Sequence, residues 1–479
     1  MPKARWYISQ EEQTEENSSS MGPIVVRSNI GDFHTIVQGH RRPLVQWVWL
    51  RLELSEYDCE RCRLREAPEE ETINNTMFTN ALWNLFQVLS EWSSPERSPD
   101  PPRGLTLELS AHSPSDPKHF AKELGFRIDD TAWSSDLAFP KRRPQDLAHG
   151  WSRGFGRKPV MTNGARLRLF GEYRGLALDL KAIGKVGKKL PRVTVINSLV
   201  IRRQFFRAFS VPKSLQSIFK ALTRLESLRY ETWRGIRTND HDGRFDRDME
   251  NHILFLHIFQ TRIKTLRKVS IVEDYDTVPY YKRHKRGCMP ALGLDLARTS
   301  RHFEELHAAY NVDARHFFDL FWDDEPIKPV RYEPKWPKLK YMSMTSHELM
   351  PFGNHDRLIQ TAAAAALKMP ELDTMELWDC HSEHGQSIFR YERRTAQQPR
   401  IQFLSTWHGQ LTKEARLAWA QVASMHGSDR PLETETILLD PPSSGGRHNI
   451  IKYLHLKSRI WNETSVQQIM SEGAYKDKQ

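Results

Sequence analysis

"MPELDTMELWD", residues 369–379, carries four apolar residues at a spacing that recurs along the chain. Met369, Leu372, Met375 and Leu377 follow the pattern ψ-x-x-ψ-x-x-ψ-x-ψ, where ψ is apolar. The same spacing occurs at Leu44, Trp47, Leu50 and Leu52, at Val193, Ile196, Leu199 and Ile201, and at Leu222, Leu225, Leu228 and Tyr230. It returns at Ile263, Leu266, Val269 and Ile271 and at Trp336, Leu339, Met342 and Met344, with a weaker copy at Ser300, Phe303, Leu306 and Ala308. From the second copy on, the third positions fall at 199, 228, 269, 306, 342 and 375. Intervals of this size hold a strand, a loop and a helix. Helical patterns fill them: "KSLQSIFKALTR", "RDMENHILFLHIFQTRI", "LGLDLARTSRHF" and "DRLIQTAAAAALKM".

The closing ψ-x-ψ of each copy reads as a short strand whose alternate side chains enter the core. One such unit cannot bury its own apolar face, so stacked units form a continuous core, with parallel strands inside and helices outside. The expected fold is α/β, an irregular leucine-rich-repeat-like solenoid; the rival is an ordinary α/β domain.

Composition sets the outer bounds. The chain has 479 residues, 39% of them hydrophobic and 27% charged, enough for a large core. The net charge of +10 comes from 70 basic against 60 acidic residues, a mild excess rather than a concentrated nucleic-acid footprint. Four cysteines are too few for a disulfide framework and suit a reducing compartment. The first residues contain no apolar stretch of the secretory kind, and no run of about 18 apolar residues occurs. A cytoplasmic or nuclear protein with no membrane contact is expected.

Residues 1–24 read as a flexible polar tail, 25–112 as repeat-like strands and a helix, and 113–165 as an irregular insertion. Residues 166–430 form the repeat array and 431–479 a C-terminal cap. Phe78, Leu82, Leu85, Leu89 and Trp92 share one face of a helix predicted over Thr76 to Trp92.

Several stretches carry a resemblance: "VWLRLELSEYDCERC", "NNTMFTNALWNLFQVLSEW", "GLTLELSAHSPSD", "LVIRRQFFRAF", "VDARHFF" and "ALKMPELDTMELWDC". Over about residues 25 to 428 the chain resembles a fungal family of F-box proteins with a leucine-rich-repeat-like region of unknown function. The resemblance implies a substrate receptor that recruits a Skp adaptor and a cullin ligase. Residues 1–24 lack the Leu-Pro-x-Glu-type opening of an F-box. Skp docking is therefore expected only if a missing F-box is restored.

The catalytic and metal motifs fail one by one. Cys59 and Cys62 have zinc-knuckle spacing, but zinc needs two more ligands. "DCHSEHG" offers Cys380, His381 and His384, several strands away at about 4.8 Å per strand, so no metal is expected. "TNDHDGRFDRDM" (238–249) fails as a calcium loop at both ends, with Thr238 and Met249 where carboxylates are needed. "GKVGKK" (184–189) lacks the hydroxyl of a phosphate loop, and "GFGR" (154–157) its third glycine. "SHELMP" has Pro351 where a second zinc-binding histidine belongs. The acidic runs "VEDYD" (272–276) and "WDDEP" (322–326) read as solvated surface. "YYKRHKRG" (280–287) reads as a solvated basic loop, with nuclear import and nucleic-acid contact as its sharper readings. The expectation is a non-enzymatic, cofactor-free protein-interaction module with an unknown protein target. A nucleic-acid-binding module and an α/β enzyme without standard motifs are the alternatives.

Residues between and beside the ψ positions of a strand face the inner sheet surface. They include Arg51, Glu53, Arg202, Arg229, Glu231, His307, Tyr341, Glu376 and Trp378, a row rich in hot-spot residue types. This row is the candidate binding face and is expected to be open to solvent.

Overall fold

The ψ positions become the cross-strand ladder of the core. In a computed structural model of the chain, Leu199 stands beside Leu228, and Val269, Leu306, Met342 and Met375 stand in one register line. The line below it joins Ile271, Ala308, Met344 and Leu377, and all of these residues are buried. Even a first position obeys the ladder, since Val193 bridges Leu222. Parallel strands with apolar residues in register bury a continuous stripe, which is why the same spacing recurs along the chain.

The structure describes residues 24–26, 42, 45–92, 104–119, 151–153, 159–170, 175–203, 205, 207–233, 251–259, 265–274, 289–322, 335–381, 385–393, 398–440 and 448–476. Outside them lie most of the 1–24 tail and of the 113–165 insertion, with Leu44, Ile263, Cys288 and His384. The stretches 154–157, 238–249 and 280–287 and the ends of "VEDYD" and "WDDEP" lie outside as well.

The chain divides into two units. In the first, the strands β1 (Ile24–Val26), β2 (Trp47–Glu53), β3 (Leu105–His112), β6 (Ile196–Ile201) and β7 (Ser227–Trp233) run parallel, with β4 (Trp151–Arg153) and β5 (Pro159–Met161) as a separate hairpin. The helix after β2 spans Pro68–Ser90 and begins eight residues before the predicted start. Its first turn is polar: Pro68 opens it, Glu69, Glu70 and Glu71 follow, and the Glu70 carboxylate accepts the Ala67 N–H at 2.8 Å. Such an opening has no apolar periodicity to find. The apolar face holds as read, with Phe78, Leu82, Leu85, Leu89 and Trp92 buried.

The second unit contains β8 (Lys268–Asp274, through Glu273), β9 (Glu305–Asp313), β10 (Tyr341–Thr345), β11 (Thr374–His381), β12 (Gly385–Glu392), β13 (Arg400–Ser405) and β14 (Glu433–Leu438). All pair in parallel except β12, which is antiparallel to both neighbours. Gly385 turns the β11–β12 hairpin at φ +94°. The helices Pro290–Thr299, His355–Ala366 and Lys413–Met425 connect successive strands. Phe389 and Tyr391 of β12 meet Trp419 at ring distances of 5.1 and 4.8 Å. The face that carries Met375, Leu377, Phe389 and Tyr391 is therefore the helix side. The opposite face carries Glu376, Trp378, Ile388 and Arg390.

Candidate functional site: the inner face of the sheet

Every residue of the predicted row lies where alternation puts it, but the row is not open. Arg51, Arg202, Glu231, His307, Glu376 and Trp378 are buried, and Glu53, Arg229 and Tyr341 are half-buried. The expected solvent exposure is corrected accordingly, and the reason differs between the units.

In the first unit the row buries charge against charge and aromatic rings. Arg202 Nε donates to Glu108 Oε1 at 2.5 Å, and its guanidinium lies 4.8 Å from the Trp49 ring centre. Arg51 lies 5.5 Å from Trp49 and 5.4 Å from Phe205. Trp47 Nε1 donates to Glu108 Oε2 at 3.0 Å. Burial pushes the Glu108 carboxyl up, opposed by Arg202 and Trp47 and aided by Glu231. Near the strand ends a second network ties loop to loop: Tyr57 donates to Asp116 at 2.8 Å, and Arg207 donates to Glu66 at 2.6 Å. Burial first, then the Asp116 charge, drive the Tyr57 hydroxyl far above its ordinary range. Both networks join residues far apart in sequence within this unit, which suits a structural role.

In the second unit the row is covered by the chain's own C-terminal segment, Tyr453–Trp461. Glu376, fully buried, accepts the backbone N–H of His455 on Oε1 and that of Leu456 on Oε2, each at 2.9 Å. Arg390 donates Nε to Glu376 at 2.7 Å, Nη1 to Gln402 at 2.9 Å, and Nη2 to the Tyr453 carbonyl. Ser270 donates its hydroxyl to the Ile460 carbonyl at 2.5 Å. His455 Nδ1 meets Glu392 at 2.7 Å, and Arg400 pairs with the same carboxylate at 2.9 Å.

Two side chains of the segment are held individually. Arg459 pairs with Glu305 at 2.8 Å and lies 3.7 Å from the Tyr341 ring centre. Lys268 reaches Glu305 at 2.9 Å. Burial opposes ionisation of Glu305, but His307, Arg459 and Lys268 outweigh it and hold the carboxyl far below the usual range. Trp461 packs on Trp378 at 5.5 Å. Trp378 is fixed from behind: its Nε1 donates to Ser343 at 2.9 Å, and Tyr310 meets it edge-on at 5.2 Å.

A bulge places Tyr310 there. The β9–β10 register runs from Glu305↔Tyr341 to Ala308↔Met344, then jumps to Asp313↔Thr345. Tyr310 takes φ 71°, and its N–H is accepted by Thr345 Oγ1 at 2.8 Å. After the bulge, Asp313 accepts the Ser346 hydroxyl at 2.5 Å, and His347 Nδ1 meets Asp379 at 2.8 Å. A histidine–carboxylate pair can serve as a base, but the adjacent Ser346 hydroxyl is committed to Asp313.

The segment lies as it does for local reasons. Leu454, Leu456, Ile460 and Trp461 are buried, whereas His455, Lys457 and Ser458 are exposed. Asn462 then caps the helix Glu463–Lys476 by accepting the Thr464 N–H at 3.0 Å, which ends the segment. Sequence reading found the sheet side of this site and missed the covering side. The available signal was the basic run from Arg447 to Arg459, which has no acidic residue.

The two cysteines of the turn differ in exposure. Cys62 is buried and donates to the Cys59 carbonyl at 3.0 Å, while Cys59 is exposed. Burial, and then the neighbouring Cys59, push the Cys62 thiol up. "GKVGKK" is a turn with Gly184 and Gly187 at positive φ. No helix among the described residues is long and apolar enough to cross a membrane.

Residues 249–462 match a family of unknown function, DUF6546, a span that includes both β8–β14 and Tyr453–Trp461. No curated protein and no solved structure matches the chain.

Proposed function

We propose that this chain is a non-enzymatic protein-interaction receptor built as an irregular leucine-rich-repeat-like solenoid, with the inner sheet face as its recognition surface. One observation carries the reading. The inner face of the second unit already holds a polypeptide segment, through main-chain groups and two chosen side chains. A surface of buried charges satisfied by a peptide backbone is chemistry suited to polypeptide. The resemblance to fungal F-box proteins fits a substrate receptor.

Photo-crosslinking tests the reading. A benzophenone residue replaces Lys268, whose side chain is 53% exposed at the edge of the inner face. A second replaces the half-buried Arg229 in the first unit, and a third Leu417, 60% exposed on the helix side. The receptor reading expects the same partner protein from an inner position and not from Leu417. Adducts confined to Leu417 contradict it.

A further inference from the structure

We infer that the inner face of the second unit binds, in place of its own Tyr453–Trp461, a basic partner segment with Arg two residues ahead of Trp. This rests on the receptor reading and names the chemistry of its ligand.

The bonds sort into two kinds. Glu376 takes two backbone N–H groups, and Arg390 and Ser270 take two backbone carbonyls. Any polypeptide can supply these four, so they clamp the main chain without reading sequence. The side chains are read at two main places. Glu305 and the Tyr341 face select a guanidinium, which lies over the ring while it pairs with the carboxylate. The Trp378 ring selects an aromatic group, here Trp461.

The receiving face presents Glu305, Glu376 and Glu392, each also paired with a cation of the face itself, Lys268, Arg390 and Arg400 in turn, and of the three Glu305 and Glu392 also take side chains of the resident segment. The resident stretch 447–461 carries Arg447, Lys452, Lys457 and Arg459 and no carboxylate. The resident segment is also only partly closed over: the side chains of Arg459 and His455 are 36% and 49% exposed, whereas Glu376 beneath them is fully buried. An incoming segment of like chemistry can therefore displace the resident one from its exposed rim.

The probe is a fluorescein-labelled peptide of residues 450–463, and the receptor is the full chain carrying Arg459→Glu and Trp461→Ala. Anisotropy should report micromolar binding to the variant, with at least about tenfold weaker binding to the wild-type chain, whose own segment competes. The same Arg→Glu or Trp→Ala change in the peptide should each cost about tenfold. A folded variant that binds none of the peptides overturns the inference. If the variant does not fold, the wild-type sequence with a protease site inserted between Ser444 and Gly445 replaces it. After cleavage the labelled peptide should exchange in, and failure to do so overturns the inference equally. Inner-face crosslinks that persist while no peptide binds remove the Arg-x-Trp rule and leave the receptor reading. Loss of both removes both.

Discussion

The guanidinium of Arg459 lies 3.7 Å from the centre of the Tyr341 ring while pairing with Glu305. A cation partly desolvated over an aromatic face contributes on the order of 1–2 kcal/mol. The contact joins the C-terminal segment to β10 across more than a hundred residues of chain. It makes Tyr341 part of an internal interface rather than an open surface.

Trp378 tests that internal character. It is fully buried between Tyr310 and Trp461, with its Nε1 bonded to Ser343. Trp378→Ala should cost about 3–5 kcal/mol, the range for truncating a buried aromatic residue. Chemical denaturation followed by circular dichroism measures it. A cost near the roughly 0.5 kcal/mol typical of surface positions would mean that the tryptophan is exposed in solution.

Glu376 and Arg390 form a pair with side chains 0% and 3% exposed. Glu376→Ala leaves the Arg390 charge buried and removes the acceptor of two backbone N–H groups, so a loss of about 3–5 kcal/mol is expected. Replacing both residues by Leu and Met should recover part of that loss, because the stranded charge disappears. Denaturation midpoints of the two variants decide the point, and equal midpoints contradict the pairing.

The acid limb of stability should depend on Glu305. Its folded-state carboxyl is depressed below the ordinary 4.5, so the folded chain binds fewer protons than the unfolded one in this range. The contribution is therefore complete above about pH 4.5 and is lost as the pH falls through the folded value. Glu305→Gln should flatten the decline between about pH 5 and pH 3. A variant whose stability falls as steeply as the wild type places the acid sensitivity elsewhere.

Gly293 lies inside the helix Pro290–Thr299, where alanine would ordinarily gain about 1 kcal/mol. A Cβ there would stand 2.4 Å from the His316 carbonyl carbon and 2.6 Å from the Phe317 nitrogen. Backbone cannot yield as a flexible side chain does, so Gly293→Ala should destabilise by about 1–3 kcal/mol. A stabilised variant, read by thermal melting, contradicts the close packing of this helix on Ala314–Phe317.

The strand ladder was legible because it repeats: Val269, Leu306, Met342 and Met375 occupy equivalent places in sequence and one line in space. The β12 strand broke the parallel expectation because "GQSIFRYE" is an added hairpin strand rather than a repeat copy. Face assignment was legible too, since alternation put Glu376 and Trp378 together opposite the helices. Burial was not. Charged and polar residues such as Arg202, His307 and Glu376 read as surface in isolation, and their partners lie far away in sequence. Ser270 meets Ile460 at a separation of 190 residues, and Glu376 meets Leu456 at 80. No periodicity announces such contacts, because each is a single hydrogen bond to a backbone group.

Recognition of polypeptide by the inner face of the second unit, in competition with its own segment, is the proposed activity. Hydrogen exchange at the amides of His455 and Leu456, with and without the Arg-x-Trp peptide, tests it most directly. Without peptide, both amides should exchange slowly, like those of β11, because they donate to a buried carboxylate. Excess peptide should accelerate both while β11 stays protected. Exchange at the rate of an unstructured chain without peptide, or protection that no excess of peptide alters, would contradict the account.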